Sequence, residues 1–478
     1  MFWTALSILD SVLVVVAIVT VLRRPREPRA MLAWVLALLF LPVLGLVLFV
    51  LMGEPRVERT RRRRRRRRQK LDASLNRQVE SLERKHGRKA SGQIHPSAAD
   101  LMSLATRISG RAPTDGNQVT IFHEYKENFN AIVEAIERAR HHVHLEYFIV
   151  QPDETGHALR DLLVRKAGEG VRVRLLLDYI GCWNWPWRFR RSFTEGGVGV
   201  AFFLPVVPWR GRWRVNFRNH RKIVVVDGVT GFTGSQNIGD EYRGRLAKYG
   251  PWRDTHMKLI GPAVHQLQEV FVEDWHYAAR EDLSEDTYFP DPPQAGSQTV
   301  QVMASGPDSN ARIMHLLLLS AVAGARKSVA VLTPYFAPDT TMIVALQSAA
   351  YRGVRVQLLI PSLSNYRTIL WAGRSFYREL SDAGVEIYEY DHAMLHSKVV
   401  VVDDAWAMVG SANMDQRSFR IDFQITTVLY DEALANGLQT DFGSLVADAR
   451  RIKPTSADHW SFGESLLLGV ARMASPVL

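Results

Sequence analysis

In the stretch LHSKVVVVDD, Leu395 to Asp404, a histidine and a lysine stand two residues apart and an acid follows four valines. An imidazole serves as nucleophile or as acid and base near neutral pH. A lysine supplies a compact fixed cation. Four consecutive β-branched residues predict a buried strand. On a strand, His396 and Lys398 share a face and Asp403 has the opposite parity. One surface would then offer a ring nitrogen and a cation to one ligand, and the acid would begin a turn. Taken alone, this segment is better explained as a strand end with solvated polar groups.

The pattern occurs a second time, in NHRKIVVVDG, where His220, Lys222 and Asp227 repeat the spacing. A Gly-Ser pair begins seven residues after each motif aspartate, in TGSQN and VGSAN, and Asn237 and Asn413 each lie 17 residues after their histidine. GVRVRLLL (Gly170 to Leu177) pairs with GVRVQLLI (Gly353 to Ile360). ARHHVHLEYF (Ala139 to Phe148) likewise pairs with ARKSVAVLTPYF (Ala325 to Phe336). Two copies with unequal loops account for these matches. Helical spacing in FNAIVEAIERA leads into HVHLEYFIV, and ALRDLLVRKAGEG into VRVRLLLDY. Such alternation predicts an α/β fold with a mixed or parallel sheet. Packing the two halves with their histidine strands side by side would gather two His, two Lys and two Asn.

The doubled HxKxxxxD motif, each copy trailed by GSxN, resembles the phospholipase D superfamily. GSQNIGDEY, WRDTHMKLIGPAV, FVEDWHYA, TPYFAPD and GSANMDQRSF further resemble the bacterial cardiolipin synthases, over nearly the whole chain. The resemblance implies phosphatidyl transfer between two phosphatidylglycerol molecules, without a cofactor or metal. His220 would attack phosphorus and form a phosphohistidine. His396 would protonate the leaving glycerol and then deprotonate the incoming hydroxyl; the opposite assignment stays open. Lys222 and Lys398 would hold phosphoryl oxygens. Asn237 and Asn413 would donate hydrogen bonds, with Ser235 and Ser411 as lesser candidates. Asp227 and Asp403 belong to the motif, but their parity predicts a structural role in the turn.

Each histidine needs an acceptor that fixes its tautomer. Asp254 of WRDTH is the candidate in the first half, and strand alignment puts Gln424 at the matching position of the second. The related enzymes carry an Asn-x-Glu pattern there; this chain has Asp422, Phe423 and Gln424. Asp422, two residues away on the same strand face, is expected to replace the missing acid.

Charge divides unevenly along the 478 residues. The net charge is +11, and residues 53–90 carry +11 by themselves, including the run Arg61 to Arg68. Residues 1–52 carry +2, so the remainder is near −2. A near-neutral body argues against a nucleic-acid partner. A single cysteine, Cys182, excludes an internal disulfide.

Met31 to Met52 is an uncharged apolar run long enough to span hydrocarbon, and Phe2 to Leu22 is apolar apart from Asp10. These predict a transmembrane hairpin over 1–52. A basic linker over 53–110 follows, then α/β halves over 111–290 and 291–478. Arginine placement favours a cytoplasmic body, and the resemblance implies a bacterial inner membrane. The Arg run suits a topology signal or attraction to anionic lipid. CWNWPWRFRR and VVPWRGRWRV suit either a membrane interface or ordinary loop packing. The tail FGESLLLGVARMASPVL suits either an interfacial helix or a docked core helix. Three other activities fit the motifs less closely: phospholipid hydrolysis, a tethered nuclease, and non-catalytic binding of anionic lipid.

Overall fold

The computed structural model describes residues 2–23, 28–52, 75, 77, 78, 80–82, 84, 95–206, 216–245, 250–309, 312–453 and 460–475. The arginine run Arg61 to Arg68 and most of VVPWRGRWRV lie outside these residues. The chain forms two compact units, 1–63 with 206–216, and 64–205 with 217–478.

The first unit contains helices Phe2–Leu22, Pro28–Phe40 and Pro42–Met52. The expected single span Met31 to Met52 is therefore two helices of 13 and 11 residues. Pro42 causes the break, because it has no N–H to continue the ladder and is suited to a helix start. The two pieces fold against each other, with Trp34 and Phe49 ring centroids 5.4 Å apart. Gly45 permits the close approach: a Cβ there would lie 2.5 Å from the Ala37 carbonyl oxygen. Among the described residues, no helix is long and apolar enough to cross a membrane.

The second unit is built on one continuous sheet. Its first half supplies β1 (Thr114–Glu124), β2 (His142–Tyr147), β3 (Arg172–Asp178), β4 (Gly199–Phe203), β5 (Ile223–Val226), β6 (Thr230–Gly234) and β7 (Trp252–Ile260). Its second half supplies β8 (Gln298–Ser305), β9 (Ser328–Leu332), β10 (Phe336–Ala337), β11 (Arg355–Pro361), β12 (Glu386–Tyr390) and β13 (Met394–Leu395). It continues with β14 (Val399–Val402), β15 (Trp406–Gly410), β16 (Met414–Asp415), β17 (Gln424–Leu429) and β18 (Arg450–Ile452), of which β16 pairs with β10 in a separate two-stranded sheet. The first-half order β1-β7-β6-β5-β2-β3-β4 is repeated as β8-β17-β15-β14-β9-β11-β12, and antiparallel pairing of β1 with β8 joins the two. The duplication in the sequence is thus a duplication of topology.

The valine runs behave as fully buried strands, β5 and β14, each between two antiparallel neighbours. Neither strand extends back to its histidine. His220 and His396 precede the strands because their backbones pair elsewhere. His220 N–H donates to Phe423 O, and His396 N–H donates to Arg253 O, both at 2.8 Å. Each histidine-bearing segment therefore crosses to the opposite half before its own strand begins.

Past the strands, Asp227 (φ 52°) and Asp403 (φ 55°) turn the chain in the left-handed region, which aspartate tolerates better than most residues. Asp227 accepts from the backbone N–H groups of Arg140, His141 and His142 at 2.8 to 2.9 Å. Asp403 accepts equivalently from Arg326, Lys327 and Ser328 at 2.6 to 3.0 Å. Both carboxylates pin the start of the neighbouring strand, as their parity predicts.

Candidate active site

The crossed backbones bring the two motifs together at the seam. His220 Nδ1 lies 2.9 Å from Ser411 O and 3.2 Å from Gln424 Oε1. A backbone carbonyl only accepts, so Nδ1 carries the hydrogen and Nε2 keeps its lone pair. His396 Nδ1 lies 2.9 Å from the Asp254 carboxylate, which fixes the same tautomer. The acceptors are exchanged between halves: Asp254 of the first serves the histidine of the second, and Gln424 of the second serves the histidine of the first.

Ser235 and Ser411 sit behind these acceptors. The Ser235 hydroxyl donates to Asp254 and to Thr255 O, and the Ser411 hydroxyl donates to Gln424 Oε1 at 2.6 Å. Both serines are fully buried and hold acceptors in place, unlike the phosphoryl contact expected of them. Asp422 also departs from expectation. Its carboxylate pairs with Arg417 at 3.1 Å, and Gln424 occupies the place beside His220. Strand parity does not reach Asp422, because β17 begins at Gln424 and Asp422 lies before the ladder that aims the side chains.

Lys222 and Lys398 are buried, and each ammonium donates to the carbonyl of its own motif histidine, at 2.7 and 2.5 Å. Phe148 packs on this pair, with its ring 5.0 Å from the His220 ring and 5.5 Å from Lys222 Nζ. Asn237 accepts from Ile149 N–H at 3.3 Å. Asn413 Oδ1 is buried with no hydrogen-bond partner among the described residues. Sequence reasoning did not find Phe148, nor Trp252 and Tyr335, whose rings lie 5.4 and 6.2 Å from that of His396. Aromatics have no fixed spacing from the motifs. Adjacency in the paired stretches ending in Phe148 and Phe336 was the one signal that pointed to this wall.

Electrostatics couples the four groups. Burial, then Lys222, Lys398 and His396, hold the His220 imidazole well below its ordinary value. Burial and Lys398 lower His396 to about 4, against an opposing pull from Asp254. Burial lowers Lys398 to about 7, and Lys222 falls well below its ordinary value through burial and its neighbour Lys398. Burial raises the Asp254 carboxyl, but His396, Lys398 and Ser235 more than offset this and keep it ionised. Neutral imidazoles beside two buried amines form an arrangement that an anion would stabilise.

A family model described as "Cardiolipin synthase, PLD-like domain" matches residues 132–246 and 318–446, and one described as "Phospholipase_D-nuclease N-terminal" matches residues 12–54. The chain is 34% identical to a cardiolipin synthase of Alkalihalophilus pseudofirmus, over 91% of this chain and 86% of that one. It is 34% identical to the major cardiolipin synthase of Bacillus subtilis, over 99% and 98%. Among solved structures, phosphatidylserine synthase of Haemophilus influenzae shares the fold, with a TM-score of 0.63 at 14% identity, over 79% of this chain and 100% of that one.

Proposed function

The chain belongs to the bacterial cardiolipin synthases, phosphatidyltransferases of the phospholipase D superfamily, and we propose that it joins two phosphatidylglycerol molecules through a phosphohistidine on His220. The exchanged acceptors carry this reading. His220 Nε2 holds a lone pair and its Nδ1–H meets only neutral oxygens. His396 is backed by a carboxylate, which stabilises an imidazolium. The first is suited to attack and the second to proton transfer.

In the first step His220 Nε2 bonds to phosphorus and the bond from phosphorus to the headgroup glycerol breaks. His396 gives its Nε2 proton to the departing oxygen. In the second step His396 takes the proton of a headgroup hydroxyl on another phosphatidylglycerol. That oxygen attacks phosphorus, the nitrogen–phosphorus bond breaks, and cardiolipin leaves with His220 restored. Lys222 and Lys398 face the phosphoryl oxygens through both steps. The bound phosphodiester supplies the missing negative charge, so the histidine proton needed for the first step is taken up as substrate binds.

The apolar first unit is proposed to anchor the body to the membrane. Its helices expose Val15, Leu36, Phe40 and Val43, and apolar side chains displayed this way favour lipid over water. The body is assigned to the cytoplasmic side by the arginine balance.

The test uses purified full-length protein with labelled phosphatidylglycerol in detergent and no added divalent metal. Cardiolipin and glycerol are expected, and neither is expected from His220→Ala or His396→Ala. Phosphatidic acid as the sole product would replace transfer by hydrolysis.

A further inference from the structure

We propose that the body rests on an anionic phospholipid surface through two apolar lobes that flank the mouth of the site; this rests on the lipid-substrate reading above. The second lobe is the C-terminal helix Phe462–Ala474. Its buried side carries Leu468 and Ala471; Ala471 packs with Ala337 and Ala372, and the helix lies against helix Arg367–Arg374. Phe462, Leu466, Val470 and Met473 fall on the opposite side at i, i+4, i+8 and i+11, and all are exposed, Phe462 by 87% and Met473 by 83%. A helix docked on a water-soluble body turns charge outward. This one turns an apolar stripe outward.

The position of this helix links it to the chemistry. The Tyr335 ring is 6.2 Å from His396 and 5.8 Å from Tyr366, and the Tyr335 hydroxyl donates to Asn365 at 2.6 Å. Exposed Tyr366 leads directly into the helix that carries the C-terminal one. The path from His396 to the stripe is thus Tyr335, Tyr366, helix 367–374, helix 462–474.

The first lobe stands at the equivalent place in the other half. Asp178, ending β3, accepts from Asn219 N–H at 2.7 Å, next to His220, and from Ile180 and Gly181 N–H. The loop that follows exposes Trp183 (by 76%) and Trp187. Trp185 is turned inward onto Val150 O and Phe193. The two readings of CWNWPWRFRR therefore divide by residue: Trp185 packs the loop, and its neighbours face out.

Charge selects lipid as the occupant. Exposed Arg188 and Arg190 border the first lobe and exposed Arg367 borders the second, while Arg191 and Arg472 are paired with Glu195 and Glu379. Trp, Tyr and Arg at the edge of an apolar patch match the headgroup level of an anionic bilayer. A second copy of this chain would bring the same arginines against each other.

The experiment uses the full chain in vesicles of phosphatidylglycerol and phosphatidylcholine. Cys182 is buried, so a cysteine placed by Met473→Cys or Trp187→Cys takes a fluorophore selectively. Quenching of both labels by nitroxide lipids, with loss of quenching by aqueous iodide, is expected. Iodide access retained at both sites would overturn the proposal. So would protection that follows protein concentration and not lipid, which would identify a second copy. In parallel, Phe462→Asp with Leu466→Asp and Val470→Asp is expected to lower turnover of vesicle lipid at least tenfold and to leave turnover of a soluble short-chain phosphatidylglycerol within about twofold. An equal loss on both substrates would also overturn docking. Failure of the unmodified chain to turn over the soluble lipid would count against the reaction assignment, and the quenching result would decide docking by itself.

Discussion

The two histidines differ in the charge of their side-chain acceptors. Asp254 gives His396 a carboxylate, and Gln424 gives His220 an amide oxygen. A phosphorylated imidazole that keeps its Nδ1–H is cationic. A carboxylate would neutralise that charge and make the ring a poorer leaving group, whereas an amide leaves it labile. Gln424→Glu is expected to raise the fraction of enzyme trapped as phosphohistidine during turnover by several-fold, measured by rapid quench with labelled lipid. An unchanged fraction would show that the amide has no such influence. Asp422→Asn, by contrast, is expected to leave that trapped fraction unmoved, because Asp422 pairs with Arg417 and Gln424 stands beside His220. Lys398, lowered to about 7 by burial, loses its charge as pH rises through that value. In the free enzyme kcat/KM is therefore expected to fall above about pH 7. The anionic phosphodiester raises the lysine, so the fall in kcat is expected at higher pH. Coincident limbs for the two parameters would assign the fall to another group. The motif residues were legible because their spacing is repeated. The exchange of acceptors was not, since no local pattern tells which half a strand end will face.

At the level of the element, the valine strands were legible and their starts were not. A run of β-branched residues marks β14, but whether His396 joins it depends on Arg253, 143 residues away. The apolar run Met31 to Met52, expected as one span, is two helices, and the division follows from Pro42, whose effect hydropathy alone does not register. The motif aspartates belong to this scale too. Asp403→Ala removes the acceptor of three backbone N–H groups and leaves a left-handed turn without a residue suited to it. These donors are only partly buried, so water replaces part of what the carboxylate supplied. A loss of about 1–3 kcal/mol is expected, seen as a lowered thermal midpoint. Residual folded enzyme is expected to keep its pH profile, and a changed profile would place Asp403 in the chemistry.

For the whole molecule, the repeated strand order was legible from the repeated sequence, and the joining of both halves through β1 and β8 was not. That seam pairs two unremarkable strands outside the motifs. The body also buries neutral histidines. Burial lowers His142 and His256 to about 3, and burial with Lys398 lowers His396 to about 4. An unfolded histidine titrates near 6.5. Between about pH 3 and 6.5 the unfolded chain binds more protons, so stability rises with pH there and is lost as pH falls below 6.5. The thermal midpoint in detergent is expected to be lower at pH 5 than at pH 7.5, with a smaller difference in His142→Gln. Equal midpoints would mean that these rings are protonated in the fold.

The exchange of acceptors across the seam has a consequence for anyone reading defects back to their origin. Damage to Asp254 is felt at His396, and damage near Gln424 is felt at His220. A lesion and its symptom therefore sit in opposite copies, and neither copy can be repaired, replaced or borrowed from a cousin without its counterpart. The two halves are not separable parts, because each gives the other the group that tells its histidine where the proton belongs.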